Sequence, residues 1–161
     1  MRQDRVGALA ASFYYLRVVR VGIARHVNVA SMAPRATPST RCPTQHYKGM
    51  VKLNQAYGAR GLHILAFPCN QFLKQESGSV EEILAGARGR GFDGAGMHLM
   101  KKVKVNGPDA DAVFLFLKQE APCAIKWNFG AYFVVDGAGA VESFAGVHPR
   151  DLTARLDALL A

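Results

Sequence analysis

Cys42, Cys69 and Cys123 are the only thiols in a chain of 161 residues, and no two stand in a Cys-x-x-Cys spacing. Thiols so few, and odd in number, make neither a disulfide scaffold nor a structural zinc site. They suit a reducing compartment in which single thiols are kept for chemistry. Cys42 lies near Arg35, Arg41 and His46, whose positive charge favours the nucleophilic thiolate. Cys69 heads a polar run, Cys69-Asn70-Gln71-Phe72-Leu73-Lys74-Gln75-Glu76, and the only tryptophan, Trp127, precedes Asn128. His26, His46, His63, His98 and His148 show no metal-ligand spacing, so no metal is expected.

The elements that must position these groups are legible as patterns. Leu62 to Phe67 is an apolar run that reads as a buried central strand, closed by Pro68, which has no N–H for a ladder. The polar run therefore sits at the carboxyl end of a strand, where open α/β sheets place ligands. Ser77-Gly78-Ser79 followed by Glu81-Glu82 reads as a turn and helix N-cap, and the glycines from Gly86 to Gly96 predict a short helix. Upstream, Val27 to Ala30 reads as a short strand, and Tyr47 to Tyr57 as a helix bracketed by Gly58 and Gly61. Strand, helix and strand in that order make a βαβ unit. Downstream, a strand is expected over Leu99–Val105 and a helix over Pro108–Lys118. A hairpin of Ala131–Val135 and Ala140–Phe144 turns at Asp136-Gly137-Ala138-Gly139, and a helix capped by Asp151 runs to Leu160.

The length fits one domain that buries roughly two-thirds of its unfolded surface. No apolar run reaches the ~18–20 residues of a membrane span. The net charge of +8 is spread over scattered Lys and Arg rather than blocked or interleaved with aromatics. It reads as a generic basic surface that attracts anionic small molecules, with no nucleic-acid motif. Residues 1–26 hold one acid, Asp4, among several arginines, a composition that also fits an organelle transit peptide.

Phe67-Pro68-Cys69-Asn70-Gln71-Phe72 with Gln75-Glu76 resembles a signature of the glutathione peroxidase family. Val27-Asn28-Val29-Ala30-Ser31, Val105-Asn106-Gly107, Lys126-Trp127-Asn128-Phe129 and Phe133-Val134-Val135-Asp136 are similar to further family segments in the same order. The resemblance covers residues 27–31 and 47–145 and implies a thioredoxin-like α/β fold, a central mixed sheet flanked by helices. It implies a domain over residues 12–161, opened by a strand at Phe13-Tyr14-Tyr15-Leu16, behind an extension at 1–11.

The same resemblance assigns Gln75, Trp127 and Asn128 to the site, as donors that stabilise a thiolate or selenolate. Gln and Asn offer two N–H donors each and the indole one, none of them ionising. The nucleophile is where the chain departs from the family pattern. The family has Cys or selenocysteine just after the Asn-Val-Ala-Ser strand, whereas here Met32 leads into a Pro/Ser/Thr/Ala-rich stretch ending at Cys42-Pro43. Three readings stand. In one, Cys42 is the peroxidatic residue on a lengthened loop. In another, a selenocysteine segment is missing from the sequence as assembled. In the third, the chain is a catalytically impaired paralogue that binds or senses redox state. Leu73 also stands where the family usually has glycine.

The implied function is reduction of hydrogen peroxide and lipid hydroperoxides, in response to oxidative stress, with a thiol as electron donor and no bound cofactor. No cysteine lies between Glu81 and His98 to resolve the oxidised nucleophile, which favours glutathione over thioredoxin as reductant. Only Glu120–Ala124 separates a helix from Ile125, too short for the family's oligomerisation loop. A monomer with an open site follows, with its basic face able to touch anionic membrane surfaces. The expected location is cytoplasmic, or mitochondrial or plastid if the N-terminus is a transit peptide.

Overall fold

The computed structural model describes residues 26–32 and 43–161. The expected extension at 1–11, the strand at Phe13–Leu16 and the segment carrying Cys42 lie outside the described residues. Five strands form one mixed sheet: β1 (His26–Met32), β2 (Leu62–Pro68), β3 (Met97–Leu99), β4 (Ala131–Val135) and β5 (Val141–Ala145), in the spatial order β3-β2-β1-β4-β5. β1 runs parallel to β2 with Ala30 opposite Ala66, and antiparallel to β4 with Val29 opposite Phe133. Among the described residues there are four α-helices: α1 (Pro43–Tyr57), α2 (Val80–Arg88), α3 (Ala112–Glu120) and α4 (Thr153–Leu160).

Period-two alternation splits the apolar residues of β2 and β4 between two cores. Ile64, Ala66, Tyr132 and Val134 pack with Tyr47, Met50, Leu53 and Tyr57 of α1 and with Leu156 and Leu160 of α4. Leu65, Phe67, Phe133 and Val135 pack with Phe114 and Leu117 of α3, together with Val105 and Ile125. This is helix, sheet and helix in layers, with β2 and β4 buried on both faces. No helix among the described residues is long and apolar enough to cross a membrane.

Local chemistry sets the boundaries, and in several places moves them from their expected positions. α1 starts at Pro43, earlier than Tyr47, because proline at a first helical position loses no intrahelical bond. α2 begins on a capping box: the Ser79 hydroxyl accepts from Glu82 N–H, and the Glu82 carboxylate accepts from Ser79 N–H at 2.8 Å.

The strand expected over Leu99–Val105 is only Met97–Leu99. Met100 N–H donates to Ala66 at 2.8 Å, and the next ladder bond would have to come from residue 68. Pro68 has no N–H to give, so pairing stops, and the chain rejoins β2 only through Val103 N–H to Pro68 O at 2.9 Å. The helix expected from Pro108 starts at Ala112, since Asp111 accepts from Val113 N–H and caps it there. In the hairpin, Val135 pairs with Val141, so β5 lies one residue later than expected. Asp151 is not the cap of the last helix. It closes a 3₁₀ turn, Pro149–Leu152, by accepting from His148 N–H at 2.8 Å, and α4 follows.

Candidate active site

Two tight turns on different elements meet at the carboxyl end of β2. The first, Phe72 to Gln75, is closed by Gln75 N–H to Phe72 O at 3.3 Å. Its central residues Leu73 and Lys74 both take φ of +50°, in the left-handed region that non-glycine residues avoid. Asn70 braces this turn, its side-chain oxygen accepting from Glu76 N–H at 2.9 Å.

The second turn, Trp127 to Gly130, is closed by Gly130 N–H to Trp127 O at 2.9 Å. A Cβ at Gly130 would lie 2.6 Å from that same carbonyl, so only glycine fits. Phe129 sits at φ +55°, a conformation that costs a phenylalanine about 1–2 kcal/mol. Its ring offsets that cost by burial, stacking on His46 at 4.8 Å and meeting the edge of Tyr47 at 5.7 Å. His46 is held in turn by the Tyr132 hydroxyl, 2.6 Å from its Nδ1.

The turns join directly. Asn128, only 3 % exposed, donates from Nδ2 to Gln75 Oε1 at 3.2 Å. Trp127 is half-buried, its ring 6.0 Å from that of Phe72. Gln75, Trp127 and Asn128 are thus brought to one place from positions more than fifty residues apart. Cys42 lies outside the described residues; in the chain it stands immediately before Pro43, the first residue of α1.

A second set of polar side chains holds the turns in register; Gln71 satisfies backbone groups, as a polar residue after a strand is expected to, while the part played by Asn106 and Lys118 shows only in the fold. Gln71 Oε1 accepts from Val105 N–H at 2.7 Å and Asn106 N–H at 2.9 Å, while its amide donates to Asn106 O at 2.9 Å. Asn106 then donates to Ile125 O at 2.8 Å, two residues before Trp127. Lys118 closes the loop by donating to Val105 O at 2.6 Å. Gln71 and Asn106 therefore bond backbone groups and act as positioning residues for Trp127.

Neither cysteine among the described residues is a good nucleophile. Cys69 is fully buried and points its thiol at Gln71 Oε1, 3.7 Å away. Burial pushes the Cys123 thiol pKa up, against smaller lowering contributions from Ser143 and Lys118, and so disfavours its thiolate. Two clefts open beside the paired turns. One of about 350 Å3 is lined by Gln75, Glu76, Gly78, Ile83 and Arg90. The other, about 430 Å3, is lined by Cys123, Lys126, Trp127, Gly130 and Ser143. No cluster of metal-ligating side chains is present among the described residues. Uncharged amide and indole groups, gathered here on two joined turns, are of the kind that can stabilise an anion of sulfur or oxygen.

Comparison with known proteins identifies the family. The family model for glutathione peroxidase matches residues 22–118. The chain is 50% identical over 91 residues to "Glutathione peroxidase 1, mitochondrial" of Chlamydomonas reinhardtii, a match spanning 55% of this chain and 45% of that protein. It is 35% identical over 122 residues to a glutathione peroxidase of Lactococcus lactis, covering 73% of this chain and 76% of that one. Among solved structures, that of T. cruzi GPX1 superposes with a TM-score of 0.60 at 28% identity, over 85% of this chain and 82% of the other. A thioredoxin-like sheet, a signature-bearing turn after β2 and a partner turn carrying Trp127 and Asn128 fit together in one way: the chain belongs to the glutathione peroxidase family of peroxide-reducing oxidoreductases.

Proposed function

We propose that this chain reduces hydroperoxides through Cys42, with Gln75, Trp127 and Asn128 as the donors that stabilise the reacting anions. The observation that carries the reading is the Asn128–Gln75 hydrogen bond, which assembles an uncharged donor set beside two open clefts. Cys69 is buried and burial disfavours the Cys123 thiolate, which makes Cys42 the thiol we assign to attack.

In the reaction, the Cys42 thiolate attacks one oxygen of the hydroperoxide, and the O–O bond breaks. The departing alkoxide takes a proton and leaves as an alcohol, while sulfur is oxidised to a sulfenic acid. A thiol donor condenses with it to give a mixed disulfide and water. A second thiol then attacks that disulfide, releasing the oxidised donor as its disulfide and restoring the Cys42 thiolate. Both electrons come from the two donor thiols, so no bound cofactor is needed.

Glutathione is the donor we favour, because no cysteine lies along α2 to resolve the sulfenic acid internally. The short connection from α3 to Ile125 leaves the Trp127 side open, which supports a monomer that accepts bulky lipid hydroperoxides as well as hydrogen peroxide. A net charge of +8 favours contact with anionic membrane surfaces. Unpaired Cys69 and Cys123 support a reducing compartment, such as the cytoplasm.

The test is a coupled peroxidase assay with glutathione and either hydrogen peroxide or a phospholipid hydroperoxide. Wild-type turnover that disappears in Cys42→Ser and survives in Cys69→Ser and Cys123→Ser supports the reading. Absence of turnover in the wild-type chain, with either glutathione or thioredoxin, overturns it in favour of a binding or redox-sensing role.

A further inference from the structure

We propose that His63 and His98 form a surface site for a transition-metal ion that seeks imidazole, such as Ni2+, Cu2+ or Zn2+. The two residues stand on the adjacent parallel strands β2 and β3, where Ile64 pairs with Met97 and Leu65 with His98. His63 Nδ1 and His98 Nε2 are 2.9 Å apart, and the ring planes lie within 10° of each other. His98 is exposed and His63 half-buried, so an ion reaches both nitrogens from solvent. Near the start of β2, the pair is remote from the turns that follow Pro68 and takes no part in peroxide chemistry.

The spacing suits chelation. Two metal–nitrogen bonds of about 2.05 Å at a right angle place their nitrogens about 2.9 Å apart, the separation of cis imidazoles on a tetragonal ion. The rings meet through their nitrogens along a hydrogen bond. For both nitrogens to bind one ion, the rings must turn out of that hydrogen bond and the shared proton must move to the outer nitrogen of its own ring. Strand pairing holds the two Cα atoms in place, so the second imidazole binds without a search. No third His, Cys, Asp or Glu completes a cluster among the described residues, so water fills the remaining positions.

Titration of the full chain with Ni2+, followed by calorimetry and by paramagnetic broadening of amide resonances, tests the site. The expected result is one equivalent bound, with broadening centred on residues 61–65 and 96–100. His98→Phe, which keeps a flat ring but no donor, and His63→Ala should each weaken binding roughly a hundredfold. His148→Ala, beside the other close histidine pair, should leave affinity unchanged. Equal affinity in His98→Phe and wild type, or broadening centred on His46 and His148 or on residues 26–42, overturns the proposal. Unchanged near-ultraviolet circular dichroism in His98→Phe shows that a loss is of donor and not of fold.

Discussion

The Asn128 amide donates to the Gln75 side-chain oxygen across 3.2 Å and ties together two turns that no backbone hydrogen bond connects directly. The Asn128 side-chain oxygen is buried with no hydrogen-bond partner among the described residues. Deleting either side chain therefore removes a donor and loosens the geometry of the other. Gln75→Ala and Asn128→Ala should each lower kcat/KM for peroxide by about 10²–10³-fold, as loss of one preorganised donor does in other enzymes. Because the residues act as a unit, the double variant should lose much less than the product of the two. Steady-state kinetics on the three variants measures this, and fully multiplicative losses would sink the coupling.

Leu73 exposes three-quarters of its surface at a φ of +50°, where its side chain gains nothing from burial and strains the backbone. Leu73→Gly relieves a left-handed penalty of about 1–2 kcal/mol and gives back about 0.5–1 kcal/mol in unfolded-state entropy. The variant should be slightly more stable by urea denaturation, with peroxidase activity retained. A clear loss of stability would mean that the turn is not strained.

Much of this architecture is legible in the residues themselves. The apolar run Leu62–Phe67, the Ser79/Glu82 cap and the Asp136–Gly139 turn are local signals, and local physics decides them. The site was legible only through a resemblance, since Gln75 and Asn128 become neighbours by strand order, which no short-range pattern encodes. The early end of β3 is tertiary too: Pro68 halts a strand more than thirty residues away by withholding one donor. Nothing about Phe129 announces a left-handed conformation; burial against His46 and Tyr47 imposes it.

Gly130 shows how little room that turn has. A methyl group there would sit 2.6 Å from the Trp127 carbonyl oxygen and 3.2 Å from its nitrogen, both backbone atoms that cannot rotate away. Gly130→Ala should cost about 1–3 kcal/mol of stability and displace Trp127 and Asn128 together. Thermal denaturation and tryptophan fluorescence read the two effects, with Trp127 as the only indole reporter. An unchanged emission spectrum would argue against the displacement.

Alkaline pH should destabilise the fold more than acid-base chemistry at the surface would. Burial raises the phenol pKa of Tyr132 well above its ordinary value and raises that of Tyr47 as well, where Glu76 adds to the effect and Arg90 opposes it. The folded state then holds these protons more tightly than the unfolded chain, so stability falls with pH wherever the unfolded phenols ionise. Stability is fully present below about pH 9 and declines as pH rises through the ordinary tyrosine range near 10. Urea midpoints between pH 7 and 11 should fall in wild type and fall less in Tyr132→Phe. Parallel declines in the two proteins would contradict the assignment.

Thiol reactivity separates the three cysteines without any assay of turnover. Cys69 has no exposed surface, so alkylating reagents reach it only when the protein opens. Cys123 is half-exposed but burial disfavours its thiolate, and its labelling should lag behind that of a free thiol at pH 7–8 and catch up as pH rises. Cys42 is expected to react first, because Arg35, Arg41 and His46 stand near it in the sequence and positive charge favours a thiolate. Brief iodoacetamide treatment followed by peptide mass analysis should therefore give the order Cys42, Cys123, Cys69. Stoichiometric peroxide added beforehand should protect Cys42 alone, by converting it to a sulfenic acid that iodoacetamide does not alkylate. Labelling of Cys123 ahead of Cys42, or protection of Cys123 instead, would move the nucleophile to the cleft beside Trp127 and remove Cys42 from the mechanism.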